Sequence, residues 1–289
     1  MRGPRSSTET VRAVSGAELL IRHVEPERAR ALIVLSHGLG EHSGRYLELA
    51  ERLSGRGFAC LAYDHRGHGR SSGRRGDIGH FEQYADDLGE MVARGASSHP
   101  NLPIFLFGHS MGAVIALMLV LRKPAEVVPR GLILSAPALV PSVRVGLHKR
   151  LILRALRGLW PTLSLPTGID PESLSSDPAV VAGHRSDPYV HGVVSLRWYT
   201  EFQRACQDCL SRAAQLEIPL YLFHGTADAI ASPEGSRSLM DRAASADKQA
   251  RFWPGLRHET WNELEPDRTQ VLDSVGDWLE QRTGPIDRS

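Results

Sequence analysis

From residue 31 onward the chain alternates short, nearly uninterrupted apolar runs with longer segments in which apolar residues recur every three or four positions. The runs are ALIVLS from Ala31, FACLAY from Phe58, IFLF from Ile104, GLILSA from Gly131, PLYLF from Pro219 and QARFW from Gln249. Most of these are near-continuously apolar, which predicts strands covered on both faces, the usual environment of parallel strands. Between them Tyr46, Leu49, Ala50 and Leu53 keep helical spacing, as do Tyr84, Leu88, Met91 and Val92, and then Val271, Val275, Trp278 and Leu279. Those stripes predict the covering helices. Strands alternating with helices predict an α/β fold on a mostly parallel sheet. Ahead of them, TVRAV and ELLIRHV flank the turn residues Ser15, Gly16 and Ala17, which predicts an antiparallel hairpin at the sheet edge.

One connection breaks the rhythm. About 80 residues separate the sixth strand, ending near Ser135, from PLYLF, where two to six residues are usual in such units. An insertion of that length must carry structure of its own. The expected division is a core of residues 1–136 and 213–289 and a helical cap over 137–212. Within the cap, VRVGLHKRLILRALRGLW (143–160) combines Leu147, Leu151, Ala155 and Leu159 at helical spacing with five basic residues and no acidic one. Such a basic amphipathic helix suits a cap and also transient contact with an anionic membrane or micelle surface.

Composition narrows the class without deciding it. With 42% hydrophobic and 23% charged residues and a formal net charge of +1, the 289-residue chain reads as an ordinary globular protein with no basic excess for nucleic acid. No apolar run approaches the 18 residues of a membrane span, and MRGPRSSTETVRAV lacks a signal-peptide core. A cytoplasmic location, peripheral to membranes at most, is therefore expected. Cys206 and Cys209 form a lone C-x-x-C in a helical stretch, and without a second pair or nearby histidines it reads as two helix cysteines.

The candidate chemistry centres on Gly108-His109-Ser110-Met111-Gly112. Chance supplies G-x-S-x-G in about one chain in five of this composition, so context decides. Here the strand IFLF runs into the motif and the apolar stretch AVIALMLVLRK follows it, the strand–turn–helix setting of a nucleophile elbow. A serine hydroxyl needs a base to remove its proton and an acid to orient that base, in the chain order Ser, acid, His. His258 is the only histidine beyond residue 228, and no Asp or Glu occurs between Gly131 and Ile169, which leaves Asp228 in LFHGTADAI as the acid. Ser110 is then the nucleophile, Asp228 the orienting acid and His258 the general base and acid. Backbone N–H groups of Met111 and of Leu39, set between Gly38 and Gly40 after ALIVLS, are the expected oxyanion donors. This chemistry needs no cofactor and no metal.

Read together, HGLGEHSGRY (37–46), YDHRGHGRSSG (63–73), GHSMG (108–112), LSSDPAVV with DPYVHG (174–192), HGTAD (224–228) and RHE (257–259) resemble the monoacylglycerol lipases and related lysophospholipase-like members of the α/β-hydrolase fold. The resemblance implies cleavage of monoacylglycerols to fatty acid and glycerol, with the triad on Ser110, Asp228 and His258 and a mobile lid over an apolar acyl tunnel. It also implies that Asp64, His65 and His68 form a structural turn rather than a metal site. Where the mammalian members carry a tyrosine before the cap's N-S-D-P segment and a cysteine after the catalytic aspartate, this chain has Leu174 and Ala231. The rival readings are a lysophospholipase or short- to medium-chain carboxylesterase on the same machinery, and a binding protein on a hydrolase scaffold. A dehalogenase would need aspartate at the elbow.

Overall fold

The computed structural model describes residues 4–122, 128–142 and 158–284. Eight strands form one sheet: β1 (Arg5–Arg12), β2 (Glu18–Glu25), β3 (Ala31–Ser36), β4 (Phe58–Tyr63), β5 (Ile104–His109), β6 (Gly131–Ser135), β9 (Leu220–Gly225) and β10 (Lys248–Trp253). Their order is β1-β2-β4-β3-β5-β6-β9-β10, with β1–β2 and β2–β4 antiparallel and every other neighbouring pair parallel. The predicted α/β sheet and its edge hairpin are both present. The hairpin strand runs from Arg5 to Arg12 rather than over TVRAV, because the turn begins at Ala13, whose carbonyl accepts from Gly16 N–H.

Two apolar layers cover the sheet. Ile33, Leu35, Phe105 and Phe107 face one way, against α1 (Leu47–Gly55) and the last helix (Asp267–Glu280). Leu32, Val34, Ile104 and Leu106 face the other, against α2 (Glu82–Ser98) and α3 (Met111–Leu121). The two-residue side-chain period thus supplies both layers from the same strands. Every residue of α3 is buried, so that helix has no polar face.

Between β6 and β9 the described chain folds as a β7–β8 pair (Ser164–Pro166 and Val193–Ser195), α4 (Pro178–Ser186) and α5 (Leu196–Ser211). This segment is mixed rather than purely helical. Strands of three residues, one of them ending in proline, carry no periodicity from which they could be predicted. Ser195 caps α5 by accepting from Trp198 N–H and donates to Asp77, while Ser195 N–H reaches Gly76 O. Gly76 has φ +62°, and a Cβ there would stand 2.0 Å from Val193 O, so only glycine lets the two backbones meet. Cys206 and Cys209 lie on the buried side of α5, where their thiols donate to Ala138 O and Val114 O. Residues 143–157 of the expected basic helix lie outside the described residues. No helix among the described residues is long and apolar enough to cross a membrane.

Candidate active site

β5 runs two residues past IFLF and ends on His109, so Ser110 stands at the carboxyl edge of the sheet at the start of α3. Its backbone is at φ 53°, ψ −114°, a conformation that L side chains rarely adopt. Neighbours hold it there: Ser110 N–H donates to Ser135 O at 2.9 Å, and Ser110 O accepts from Ala138 N–H at 3.2 Å. The flanking glycines follow from the same tight turn. A Cβ on Gly108 would lie 2.6 Å from Ala113 Cα, and one on Gly112 would lie 2.0 Å from Ser36 O. The serine heads α3 without capping it, since its side chain makes no capping hydrogen bond.

Asp228 comes from the turn after β9. Its Oδ1 accepts the N–H groups of Ile230 and Ala231 at 2.8 and 2.9 Å, and its Oδ2 meets His258 Nδ1 at 2.6 Å and His224 Nε2 at 2.9 Å. Burial works against its charge, but His258 and the hydrogen bonds from both histidines outweigh burial and hold the carboxyl well below its usual range. For His258, burial again opposes ionisation. The charge and hydrogen bond of Asp228, aided by Glu259 and Glu41, prevail and raise its pKa above 6.5. With Nδ1–H donated to Asp228, His258 is left with Nε2 as its acceptor. Asp228 and His258 therefore form a buried acid–imidazole pair, and Ala231 contributes through its backbone alone.

Ser110 and His258 line one cavity of about 240 Å³ together with Gly38 and Leu39. Ile169, Pro171, Leu174, Val190 and Ile230 make its apolar wall, while Glu41, Arg45, His184 and Glu259 supply polar groups. Gly38 N–H is taken by Glu41 Oε1 at 2.6 Å, which leaves the next amide, that of Leu39, as the loop's candidate for an incoming oxygen. Met111 directly follows Ser110 as the first residue of α3, where helix N–H groups have no intrahelical partner.

The His37, Asp64, His65 and His68 side chains pack behind that loop. His37 Nδ1–H donates to Gly38 O at 2.7 Å, its Nε2 accepts from His65 N–H at 2.9 Å, and burial lowers its pKa to about 4. Asp64 accepts from the Ser43 N–H and hydroxyl and from Arg70 N–H. His65 Nε2 meets Ser36 Oγ and His68 Nδ1 meets Arg66 O, both at 3.1 Å, while His65 Nδ1 and His68 Nε2 are buried without a partner among the described residues. Among the described residues, His80, Glu82 and Glu201 alone bring three ligand atoms within 4.8 Å of one another; they lie outside the cavity lining, and Glu201 pairs with Arg204.

Three groups at the site were not singled out from the sequence. His224 braces Asp228 from the side opposite His258 and meets Ser236 Oγ through Nδ1 at 2.7 Å. His109, buried and pushed well below its usual pKa by burial and then by His258, packs its ring 4.7 Å from that of His258 at a tilt of 57°. The third is the ion cluster of Glu41, Arg45 and Glu259. The available signal was a carboxylate next to each loop, Glu41 in HGLGEHSGRY and Glu259 in RHE, since a buried carboxylate needs a cation.

Residues 27–265 match the family model described as Hydrolase_4, serine aminopeptidase S33. The chain is 37% identical over 251 residues to a monoacylglycerol lipase of Mycolicibacterium smegmatis, spanning 86% of this chain and 88% of that one. The crystal structure of Paleococcus ferrophilus monoacylglycerol lipase superposes with a TM-score of 0.82 at 31% identity, covering 91% of this chain and 99% of that one. A soluble variant of monoglyceride lipase from Saccharomyces cerevisiae, solved with a substrate analog, gives a TM-score of 0.86 at 25% identity, covering 99% and 97%.

Proposed function

We propose, for a chain that belongs to the Hydrolase_4 family of serine hydrolases and is similar throughout to its monoacylglycerol lipases, that it cleaves monoacylglycerols to free fatty acid and glycerol through an acyl-serine intermediate. The observation that carries the reading is the buried Asp228–His258 pair opening onto the same cavity as a strained Ser110. In this mechanism His258 Nε2 takes the Ser110 proton as Oγ attacks the ester carbonyl. The Leu39 and Met111 N–H groups receive the oxyanion, and Asp228 stabilises the imidazolium. His258 then protonates the departing glycerol oxygen, and afterwards deprotonates the water that releases the fatty acid.

The cavity supports a single-chain, uncharged substrate. Its volume of about 240 Å³ is small beside the ~300–1,000 Å³ of ordinary ligand clefts, which suits one reacting ester rather than two or three acyl chains. Its polar side carries two carboxylates, Glu41 and Glu259, against the single guanidinium of Arg45. Carboxyl oxygens on that wall disfavour the phosphate of a lysophospholipid and suit the hydroxyls of glycerol. Turnover of a monoacylglycerol, lysophosphatidylcholine and a short p-nitrophenyl ester tests this directly. The highest kcat/KM is expected for the monoacylglycerol, and a preference for lysophosphatidylcholine defeats the assignment.

Residues 137–212 act in this reading as the cap, a role supported by Leu174, His184 and Val190, which line the same cavity as Ser110. The cap also provides contact with lipid surfaces. Leu159 and Trp160, at the end of the basic segment, are exposed by 85% and 61%. Replacing Arg150, Arg154 and Arg157 together by Ser is expected to weaken binding to anionic vesicles severalfold at low salt, and unchanged cosedimentation would refute the contact.

A further inference from the structure

A buried cluster of three charges joins the two loops on which the proposed reaction depends. Arg45 Nη1 donates to Glu41 Oε2 at 2.7 Å and to Glu259 Oε1 at 2.6 Å, and Nη2 donates to Glu259 Oε2 at 2.8 Å. The side chains of Arg45, Glu41 and Glu259 are only 11%, 4% and 1% exposed. Glu41 belongs to the loop after β3 that carries Leu39, and Glu259 directly follows His258. The remaining acceptors are also used. Glu41 Oε1 takes the Gly38 N–H and the Tyr46 hydroxyl, and Glu259 Oε2 takes Asn262 Nδ2 at 2.8 Å.

Stability is a weak reason for such an arrangement. A buried ion pair often contributes no more than an apolar filling of the same volume, because desolvation offsets its attraction, and here two carboxylates face one cation. Its geometry does have a clear consequence. The guanidinium fork fixes both carboxylates at once, one bound to the backbone N–H beside Leu39 and the other one residue from His258.

We propose that Arg45 is a positioning residue that couples the oxyanion donor to the general base, holding the Leu39 loop through Glu41's bond to Gly38 N–H and the His258 loop through Glu259. The inference rests on the triad reading above. In this arrangement the amide that receives negative charge and the imidazole that becomes positive are registered against each other by one side chain. Glu259, one residue from His258, and Glu41 further favour the imidazolium.

The test compares Arg45→Lys, Glu259→Gln and the uncharged triple variant Glu41→Gln/Arg45→Met/Glu259→Gln, using a p-nitrophenyl ester and a monoacylglycerol. Lysine keeps the charge but loses the fork, so kcat is expected to fall about 10- to 100-fold with KM within twofold, the scale of a slight misplacement of reacting groups. In Glu259→Gln the acid limb of the kcat/KM profile is expected to move to lower pH. The triple variant leaves no buried charge unpaired; it is expected to melt near the parent's temperature and still lose kcat. Wild-type kcat in Arg45→Lys or in the triple variant overturns the proposal. So does a rise confined to KM for the monoacylglycerol, which would make Arg45 a head-group contact instead. Labelling by a fluorophosphonate that survives Ser110→Ala would instead overturn the triad, so the two failures are distinguishable.

Discussion

Ser110→Ala is expected to abolish ester hydrolysis, with kcat falling about 10⁶-fold, while the protein stays folded. The scale is that seen when the nucleophile of a serine hydrolase is removed and only binding and oxyanion donors remain. Folding should survive because the substitution deletes a hydroxyl that caps no helix, at a residue whose backbone bonds to Ser135 and Ala138 are kept. The measurement is steady-state turnover together with fluorophosphonate labelling and thermal melting. Labelling at the parent's rate in a folded Ser110→Ala protein would refute the assignment.

The second large effect is expected from Asp228→Asn, a loss of about 10⁴-fold in kcat. The amide oxygen can still accept the Ile230 and Ala231 N–H groups, so the turn keeps its shape. Its NH₂ then faces His258 Nδ1 and His224 Nε2, where the carboxylate accepted two donors. His258 must turn its acceptor toward that NH₂, which leaves a proton on Nε2, the nitrogen required to take one from Ser110. The pH dependence follows with the same sign. His258 works as a base only when neutral, and its pKa is raised above 6.5, so wild-type kcat/KM should climb on an acid limb centred above pH 6.5. Removing Asp228's charge removes the chief raising influence, so the limb in the variant moves to lower pH. Linkage adds a stability signature. The Asp228 interaction is present above the unfolded carboxyl's pKa and is lost as pH falls, whereas the share from protonated His258 is present below pH 6.5 and is lost as pH rises through its folded pKa. A limb that stays in place in a folded Asp228→Asn would argue against this pairing.

Much of this was legible before any coordinates, for identifiable reasons. ALIVLS and FACLAY are apolar at nearly every position because both faces of β3 and β4 are covered, and those runs match the strands residue for residue. The chemistry was narrowed by scarcity. One histidine beyond residue 228 and an acid-free stretch from 131 to 169 left few ways to draw a triad. The rest depends on contacts between distant parts of the chain. Arg45 and Glu259 are 214 positions apart, and nothing in the periodicity of either segment requires them to meet. β7 and β8 are too short to show a period, and β10 is largely exposed, so its apolar content marks the strand only weakly. His224 carries no signal of its own in the sequence, because its role lies in where its two ring nitrogens point.

The backbone at Ser110 also bears on whether such a scaffold has kept its chemistry or only its shape. Glycine would make the same left-handed turn without crowding, whereas a residue with a side chain held in so sparsely populated a region costs about 1–3 kcal/mol. Against a typical total stability of about 5–15 kcal/mol that is a large standing penalty, and the hydroxyl returns none of it by capping α3. A protein that merely held a ligand in this cavity would be more stable with glycine at 110. The strained serine thus favours the catalytic reading over that of a binding scaffold, independent of any substrate.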